Sequence, residues 1–330
     1  MIHTVQIRGL RGIREGTLSE LTPLVVLVGP NACGKSTVLE ALLIGASDTP
    51  NDAVGKCVQR RSGVWNGVRW LLTAPPGEPW QVRVVSEKHE RATQLQVVPY
   101  GTNLAVMMTL SSPARGHGAG RIELAADNTF VAGDHPMPPE LKLAADVRLV
   151  EPRPDVTQTP LHRVYSAAVQ NGLRAAAESF IPDVLPGFIR LEILTAPNSD
   201  EPEVNVVFES GALPVPLVGD GAQALIRQCL ELAALKDGLA LLEEPEAFKH
   251  PRAIRQSALA MVAAAKRGVQ VILTTHSLEL IDALVAASDD AALESLSLYR
   301  LALHDGKLAS TRLVGREVKL MRSQIEEDLR

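Results

Sequence analysis

The sequence predicts an α/β fold with a mixed or parallel central sheet, an antiparallel β subdomain and inserted helical elements. Three observations carry this. The continuous apolar run Leu24–Val28 runs into a glycine-rich loop and then a helical pattern, as a buried central strand does. Further apolar strands at 238–242 and 269–274 alternate with helical stretches at 222–235, 254–265 and 278–286, the pattern of a parallel sheet with crossover helices. Between them, residues 46–154 break into short alternating runs punctuated by Gly and Pro, which reads as antiparallel strands and loops.

Taken in order, residues 1–7 alternate apolar and polar and read as a strand, and residues 8–12 (Arg-Gly-Leu-Arg-Gly) as a turn. The first helix is expected over residues 35–44. In the middle stretch, strand pieces fall at 80–85, 94–98, 104–110 and 121–125, with one helical or irregular patch at 64–72. Residues 161–180 carry an apolar face (Val164, Ala167, Ala168, Leu173) and read as one helix ended by Ile181-Pro182. Residues 188–194 and 203–208 alternate and read as paired strands. Asp305-Gly306 between the runs 296–303 and 307–313 signals a hairpin, and a polar helix or tail follows from Val318. The reading is one domain over 1–330, with core halves at 1–45 and 210–315 and a β-rich, partly helical lobe inserted at 46–209.

Of the 330 residues, 46% are hydrophobic and 22% charged, an ordinary globular balance with length for a sizeable core. The net charge of −5 gives no global basic footprint for nucleic acid, which leaves only a local basic groove, one formed in a dimer included. Cys33, Cys57 and Cys229 are too few and too scattered for a disulfide framework or a zinc site. No apolar run reaches membrane-spanning length, and residues 1–12 lack a secretory apolar core, so a cytoplasmic protein without membrane partners is expected.

The chemistry lies in four short segments. Gly29, Pro30, Asn31, Ala32, Cys33, Gly34, Lys35, Ser36 and Thr37 form a complete Gly-x-x-x-x-Gly-Lys-Ser phosphate loop between a strand and a helix. Glycine at 29 and 34 lets successive N–H groups curl round a phosphate, Lys35 can reach β- and γ-phosphates, and Ser36 can hold Mg²⁺. Cys33 reads as a tolerated small residue of the loop, with a reactive thiol as the alternative. The apolar strand ending in Glu243-Glu244 delivers two carboxylates beside that loop, the first for Mg²⁺, the second for an attacking water. A solvated helix start is the plainer alternative. A second strand ends in Thr-Thr-His276-Ser277, where His276 can contact a γ-phosphate and Ser277 can cap the next helix. Gly219-Asp220-Gly221 opens an apolar helix whose N–H groups can meet a phosphate from a second subunit.

In order and spacing these four segments resemble the ABC-type ATPase heads of the SMC-like and OLD (overcoming lysogenisation defect) families. Gly29 to Thr37 resembles their Walker A, Gly219 to Ala222 their signature, Leu239 to Glu244 their Walker B with its catalytic glutamate, and His276 their switch histidine. The resemblance covers about residues 1–45 and 210–285. It implies an ABC-type P-loop head that binds ATP with Mg²⁺, sandwiches it in a dimer and hydrolyses it, with Lys35, Glu244 and His276 catalytic and Ser36 and Glu243 at the metal. Three departures stand out. Glu243 replaces the usual Asp, Gly219 (or Val218, with the register shifted by one) replaces the signature Ser, and a Q-loop glutamine is not evident beyond the candidates Gln59 and Gln158; slow turnover is expected. Too little chain follows Ser277 for the Toprim nuclease that many OLD proteins carry. The resemblance therefore implies a stand-alone ATPase working with a separate effector such as a nuclease or toxin, with DNA as a further partner, in anti-phage defence or DNA repair. The alternatives are a non-catalytic ATP-binding scaffold or sensor and, behind it, a transporter's nucleotide-binding subunit. Arg60, Arg61 and Arg153 read as a solvated face, with DNA or phosphate contact as the alternative. Arg11 is placed near the nucleotide by the resemblance, and Trp65, Trp70 and Trp80 read as packing in the inserted lobe.

Overall fold

The computed structural model describes residues 1–60, 63–72, 80–87, 89–114, 116–134, 141, 143, 146–152, 158–195, 200–324 and 327–330. The chain opens with the antiparallel pair β1 (Ile2–Leu10) and β2 (Ile13–Leu18), then β3 (Leu24–Val28), α1 (Lys35–Ala46), α2 (Pro50–Gln59) and the single turn α3 (Val68–Leu71). A meander follows: β4 (Trp80–Ser86), β5 (Glu90–Tyr100), β6 (Asn103–Ser112), β7 (Gly116–Leu124) and β8 (Phe130–Asp134). Next come β9 (Val147–Val150), α4 (Leu161–Gln170), α5 (Arg174–Glu178), a small sheet of β10 (Arg190–Thr195), β11 (Pro202–Phe208) and β12 (Gly211–Pro214), and α6 (Asp220–Ala233). The last third alternates β13 (Gly238–Glu243), α7 (Pro251–Lys266), β14 (Val269–Thr274), α8 (Leu278–Ala287) and α9 (Asp290–Glu294), before the hairpin β15 (Leu296–His304) and β16 (Lys307–Val314) and the terminal α10 (Gly315–Gln324).

Among the described residues thirteen strands form one sheet, in the order β8-β7-β6-β5-β4-β1-β2-β16-β15-β3-β14-β13-β9. The run β15-β3-β14-β13-β9 is parallel, and the meander is antiparallel. Alternation along β3 divides the interior. Leu24, Val26 and Val28 enter a core shared with α4, α6, α7 and α8, while Val25 and Leu27 enter the opposite core, with α1, α2 and the inner face of the meander. Both faces are covered, which is why β3, and β14 likewise, read as unbroken apolar runs.

Three elements differ from the sequence reading. Residues 50–59, expected as strand and loop, form α2: Pro50 supplies a first-turn residue that needs no N–H partner, and Ala53, Val54, Cys57 and Val58 are buried. The helix expected over 161–180 is two helices, because Gly172 adopts φ 72° and its N–H closes back on Val169 O at 2.9 Å. Strand β9 lies within the stretch expected as an insertion, yet it pairs in parallel with β13. Trp80 is buried in the meander core, whereas Trp65 and Trp70 are exposed.

Two buried cations tie elements together. Arg91 on β5 has no exposed surface, and its guanidinium donates to the carbonyls of Gly45 (2.5 Å), Ser47 (2.8 Å) and Leu141 (3.2 Å). It thereby satisfies the carbonyls that the end of α1 leaves without helical partners, at the negative pole of the helix. Burial lowers its pKa to about 10. Lys249, just past β13, donates to Gln228 Oε1 on α6 (2.5 Å) and Ser257 Oγ on α7 (2.7 Å), and burial pushes its pKa down to about 7.

Arg91→Ala is expected to cost about 2–4 kcal/mol by stranding buried carbonyls. A lower urea midpoint at unchanged slope is the reading that checks it. Lys249 binds its proton less readily folded than unfolded, so the unfolded chain holds the extra proton between about pH 7 and about pH 10, and stability rises with pH across that window. The stability of wild type minus that of Lys249→Met should therefore increase from pH 7 to 9.5, by at most about 1.4 kcal/mol per pH unit, in paired urea titrations.

Candidate functional site

Pairing between strands brings the motif segments to one edge of the sheet. In the ladders Leu27 pairs with Thr274 and Thr274 with Glu243, so the carboxyl ends of β3, β14 and β13 finish side by side. Glu243, Glu244, Glu246 and His276 lie within three positions of those ends, and the phosphate loop begins directly after β3. This is the end of an open parallel sheet where ligands bind.

After β3, Gly29 (φ 141°) and Gly34 (φ 97°) take backbone angles closed to other residues, and Ala32 lies between them at φ 61°. Gly29 is also forced by space, since a Cβ there would lie 2.4 Å from Leu301 O and 2.8 Å from Cys33 Sγ. Lys35 Nζ folds back over the loop, donating to Gly29 O at 2.8 Å and Pro30 O at 3.1 Å. Cys33 is buried beneath it, as a small packing residue. Gly34 provides no side-chain cap, so the first-turn N–H groups of α1, those of Lys35, Ser36 and Thr37, point out of the helix with no acceptor behind them.

Beyond β13, Glu244 holds a left-handed backbone (φ 41°) fixed by its N–H, which donates to Thr274 O (3.1 Å) and Thr274 Oγ1 (3.2 Å). Its carboxylate stands 3.8 Å from His276 Nε2, both side chains being open to solvent. Glu246 Oε1 accepts from Thr275 Oγ1 at 2.6 Å and from the His276 N–H at 3.2 Å, fixing the chain that carries the histidine. Ser277 caps α8, its Oγ accepting from Leu280 N at 3.1 Å. Gly219, Asp220 and Gly221 open α6; a Cβ on Gly221 would lie 2.8 Å from Phe248 O, so this turn rests on the segment after β13. Asp220 lines a cavity of about 330 Å³ with Glu151, Arg227 and Phe248.

Glu243 has a partner that the sequence did not show. Its carboxylate is paired with Arg60, which also meets Glu151 (2.6 Å) and Glu40 (3.1 Å). Glu40 in turn is paired with Arg11, whose Nη2 donates to Cys57 O at 3.1 Å. Arg60 is thus a buried hub and not part of a solvated face. Burial works against its charge, and Glu40 and Glu151 outweigh burial, so its pKa is raised. Arg61 and Arg153 lie outside the described residues. Gln59 donates to Asn128 O at 3.2 Å, on the meander side. Glu40 carried a signal, a carboxylate amid Val38, Leu39, Ala41 and Leu42; Glu246, Thr275 and Arg60 carried none.

The residues fit a nucleoside triphosphate with Mg²⁺. The loop is shaped so closely that one methyl group would overfill it at Gly29, and it offers first-turn N–H groups and a lysine to an anion. Among the described residues no cluster of three or more His, Cys, Asp or Glu could hold a metal by itself. Mg²⁺ is held by one or two protein oxygens together with phosphates and water; Ser36 and Glu243 are the residues that would hold it. Gly29→Ala is expected to destabilise the fold by about 1–3 kcal/mol and to abolish nucleotide binding, read by urea unfolding and by anisotropy of a fluorescent ATP analogue.

Residues 24–79 and 147–282, more than half of the chain, match the family described as "AAA domain, putative AbiEii toxin, Type IV TA system". Over 115 residues the chain is 34% identical to the uncharacterized protein MJECL11 of Methanocaldococcus jannaschii, a stretch that is 34% of this chain and 99% of that relative. In fold it is similar to an SMC head bound to the C-terminal winged-helix domain of ScpA, with TM-score 0.55 and 15% identity over 95% of this chain and 98% of that one. It is also similar to an SMC head with an extended coiled coil bound to the C-terminal domain of ScpA, from Pyrococcus furiosus, with TM-score 0.53 and 12% identity over 99% of both chains. The fold is thus that of the SMC-type ABC ATPase head, and by sequence the chain belongs to the AAA-domain family so described.

Proposed function

We propose that this chain binds ATP with Mg²⁺ at the phosphate loop and hydrolyses it slowly, closing with a second copy of itself around the nucleotide to control a separate effector. The observation that carries the reading is the Glu244–His276 pair, 3.8 Å apart at the strand ends beside the loop, with Glu244 in a strained backbone that other groups maintain. Lys35 and the loop N–H groups bind the phosphates, and Ser36 and Glu243 hold the metal. When bound, the metal neutralises charge on the β- and γ-phosphate oxygens. Glu244 orients the attacking water and accepts its proton, and His276 donates toward the γ-phosphate. Gly219, Asp220 and Gly221 meet the nucleotide of the partner copy.

The effector is a nuclease or toxin, or the closed dimer engages DNA, in anti-phage defence or DNA repair in the cytoplasm. The toxin–antitoxin system in the family's description and the ScpA-bound SMC heads of similar fold support a partner protein. Among the described residues no helix is long and apolar enough to cross a membrane. The pairing of Glu243 with Arg60 favours a second reading, an ATP-binding scaffold without turnover.

Glu244→Gln should lower phosphate release by about 10²–10³-fold while leaving nucleotide affinity within a few-fold and stabilising the nucleotide-bound dimer. Phosphate-release kinetics and light scattering read both. Turnover equal to wild type would remove Glu244 from its role, and ATP-dependent dimerisation of wild type with no phosphate release would leave the scaffold.

A further inference from the structure

The Arg60 cluster is more than a structural ion pair. Its guanidinium is 5% exposed and touches three carboxylates, each from a different element. Glu40 lies on α1, the helix that the phosphate loop opens. Glu151 follows β9, and Glu243 ends β13. Nε donates to Glu151 Oε1 (2.8 Å) and Nη1 to Glu40 Oε1 (3.1 Å), while Nη2 donates to Glu243 Oε2 and also lies 2.6 Å from Glu151 Oε1. With Arg11 on Glu40, two cations face three carboxylates, so the cluster keeps one net negative charge while Arg60 pairs directly with Glu243. A planar fork can serve three acceptors at once; an ammonium on a flexible stem cannot hold the same arrangement.

We propose that Arg60 is a resident counter-cation of Glu243, which competes with the divalent metal for that carboxylate and so makes metal loading at the nucleotide site loosen the end of α2. This rests on the nucleotide-site reading above. Two cations drawn to one carboxylate repel each other across a poorly solvated site, so the bound arginine weakens the metal. Glu243 can serve a metal only by sharing or releasing Arg60. Arg60 closes the last turn of α2, its N–H donating to Lys56 O at 3.0 Å, so release is felt along that helix. The tie joins segments remote in sequence, Arg60 and Glu243 being 183 residues apart along the chain.

The test uses the full chain, a fluorescent non-hydrolysable ATP analogue, and anisotropy as Mg²⁺ is titrated. Arg60→Gln should lower the Mg²⁺ concentration for half-maximal enhancement of nucleotide binding on the order of tenfold. Arg60→Lys, which keeps the charge but not the fork, should fall between wild type and Arg60→Gln, and binding in EDTA should be equal in all three. An unchanged or higher Mg²⁺ requirement in Arg60→Gln overturns the proposal, as does an equal shift in Arg60→Lys, which would mark a packing effect. Since Arg60→Gln leaves Glu151 and Glu243 without this cation and can fail to fold, thermal unfolding is run beside it. Wild type then decides by hydrogen exchange: adding Mg²⁺ to the nucleotide complex should speed exchange at the end of α2, and unchanged or slower exchange overturns the proposal. If wild type binds no nucleotide with or without Mg²⁺, the nucleotide-site reading falls and this inference with it; if it binds and nothing shifts, this inference alone falls.

Discussion

The register shared by three parallel strands is the constraint on which the site depends. Leu27, Thr274 and Glu243 stand level, and the residues that follow them leave the sheet together. Because β3 and β14 are buried on both faces, alternation of apolar and polar residues does not set that register. The main-chain ladder does, and it is extended past the sheet edge by polar ties. The Glu244 N–H meets Thr274, and Glu246 meets Thr275 and the His276 N–H. Each tie satisfies a backbone or side-chain group that would otherwise be stranded where the ladder stops.

The buried charges obey a common rule. Each of Arg60, Arg91 and Lys249 is held by acceptors from at least two separate elements, so none is an isolated charge in an apolar core. Such groups contribute little net stability compared with an apolar replacement of the whole set, but losing one partner leaves a desolvated charge behind. Their effect here is specificity of arrangement. Arg91 fixes the meander to α1, Arg60 fixes α2 to the strand ends, and Lys249 fixes α6 and α7 to the segment after β13.

Much of this was legible in the sequence where the determining physics is local. The five-residue run of β3 and the six-residue run of β14 announce buried parallel strands, and Asp305-Gly306 announces the β15–β16 hairpin. The phosphate loop, the Glu243-Glu244 pair and His276 are readable because neighbours in sequence carry the chemistry. What escaped is long-range or depends on a single residue's context. Residues 50–59 carry their apolar stripe, Ala53, Val54, Cys57 and Val58, over little more than one turn, too short to stand out among the strand-like runs around it. Four-residue β9 is too short to show its partner. Arg60 reads as one more surface arginine until the fold brings three glutamates to it, and Glu246 shows its role only once Thr275, just past β14, stands beside it.

Helix α1 is clamped at both ends: its first turn grows out of the phosphate loop, and its last carbonyls are gripped by Arg91. At 12 residues it is a rigid strut of ~18 Å. Any axial push on the loop is therefore delivered at the far end to β5, and through β5 to a meander whose strands belong to the same sheet as the site. The outer lobe is in mechanical series with the phosphate loop, and a protein gripping that lobe would feel what the loop holds.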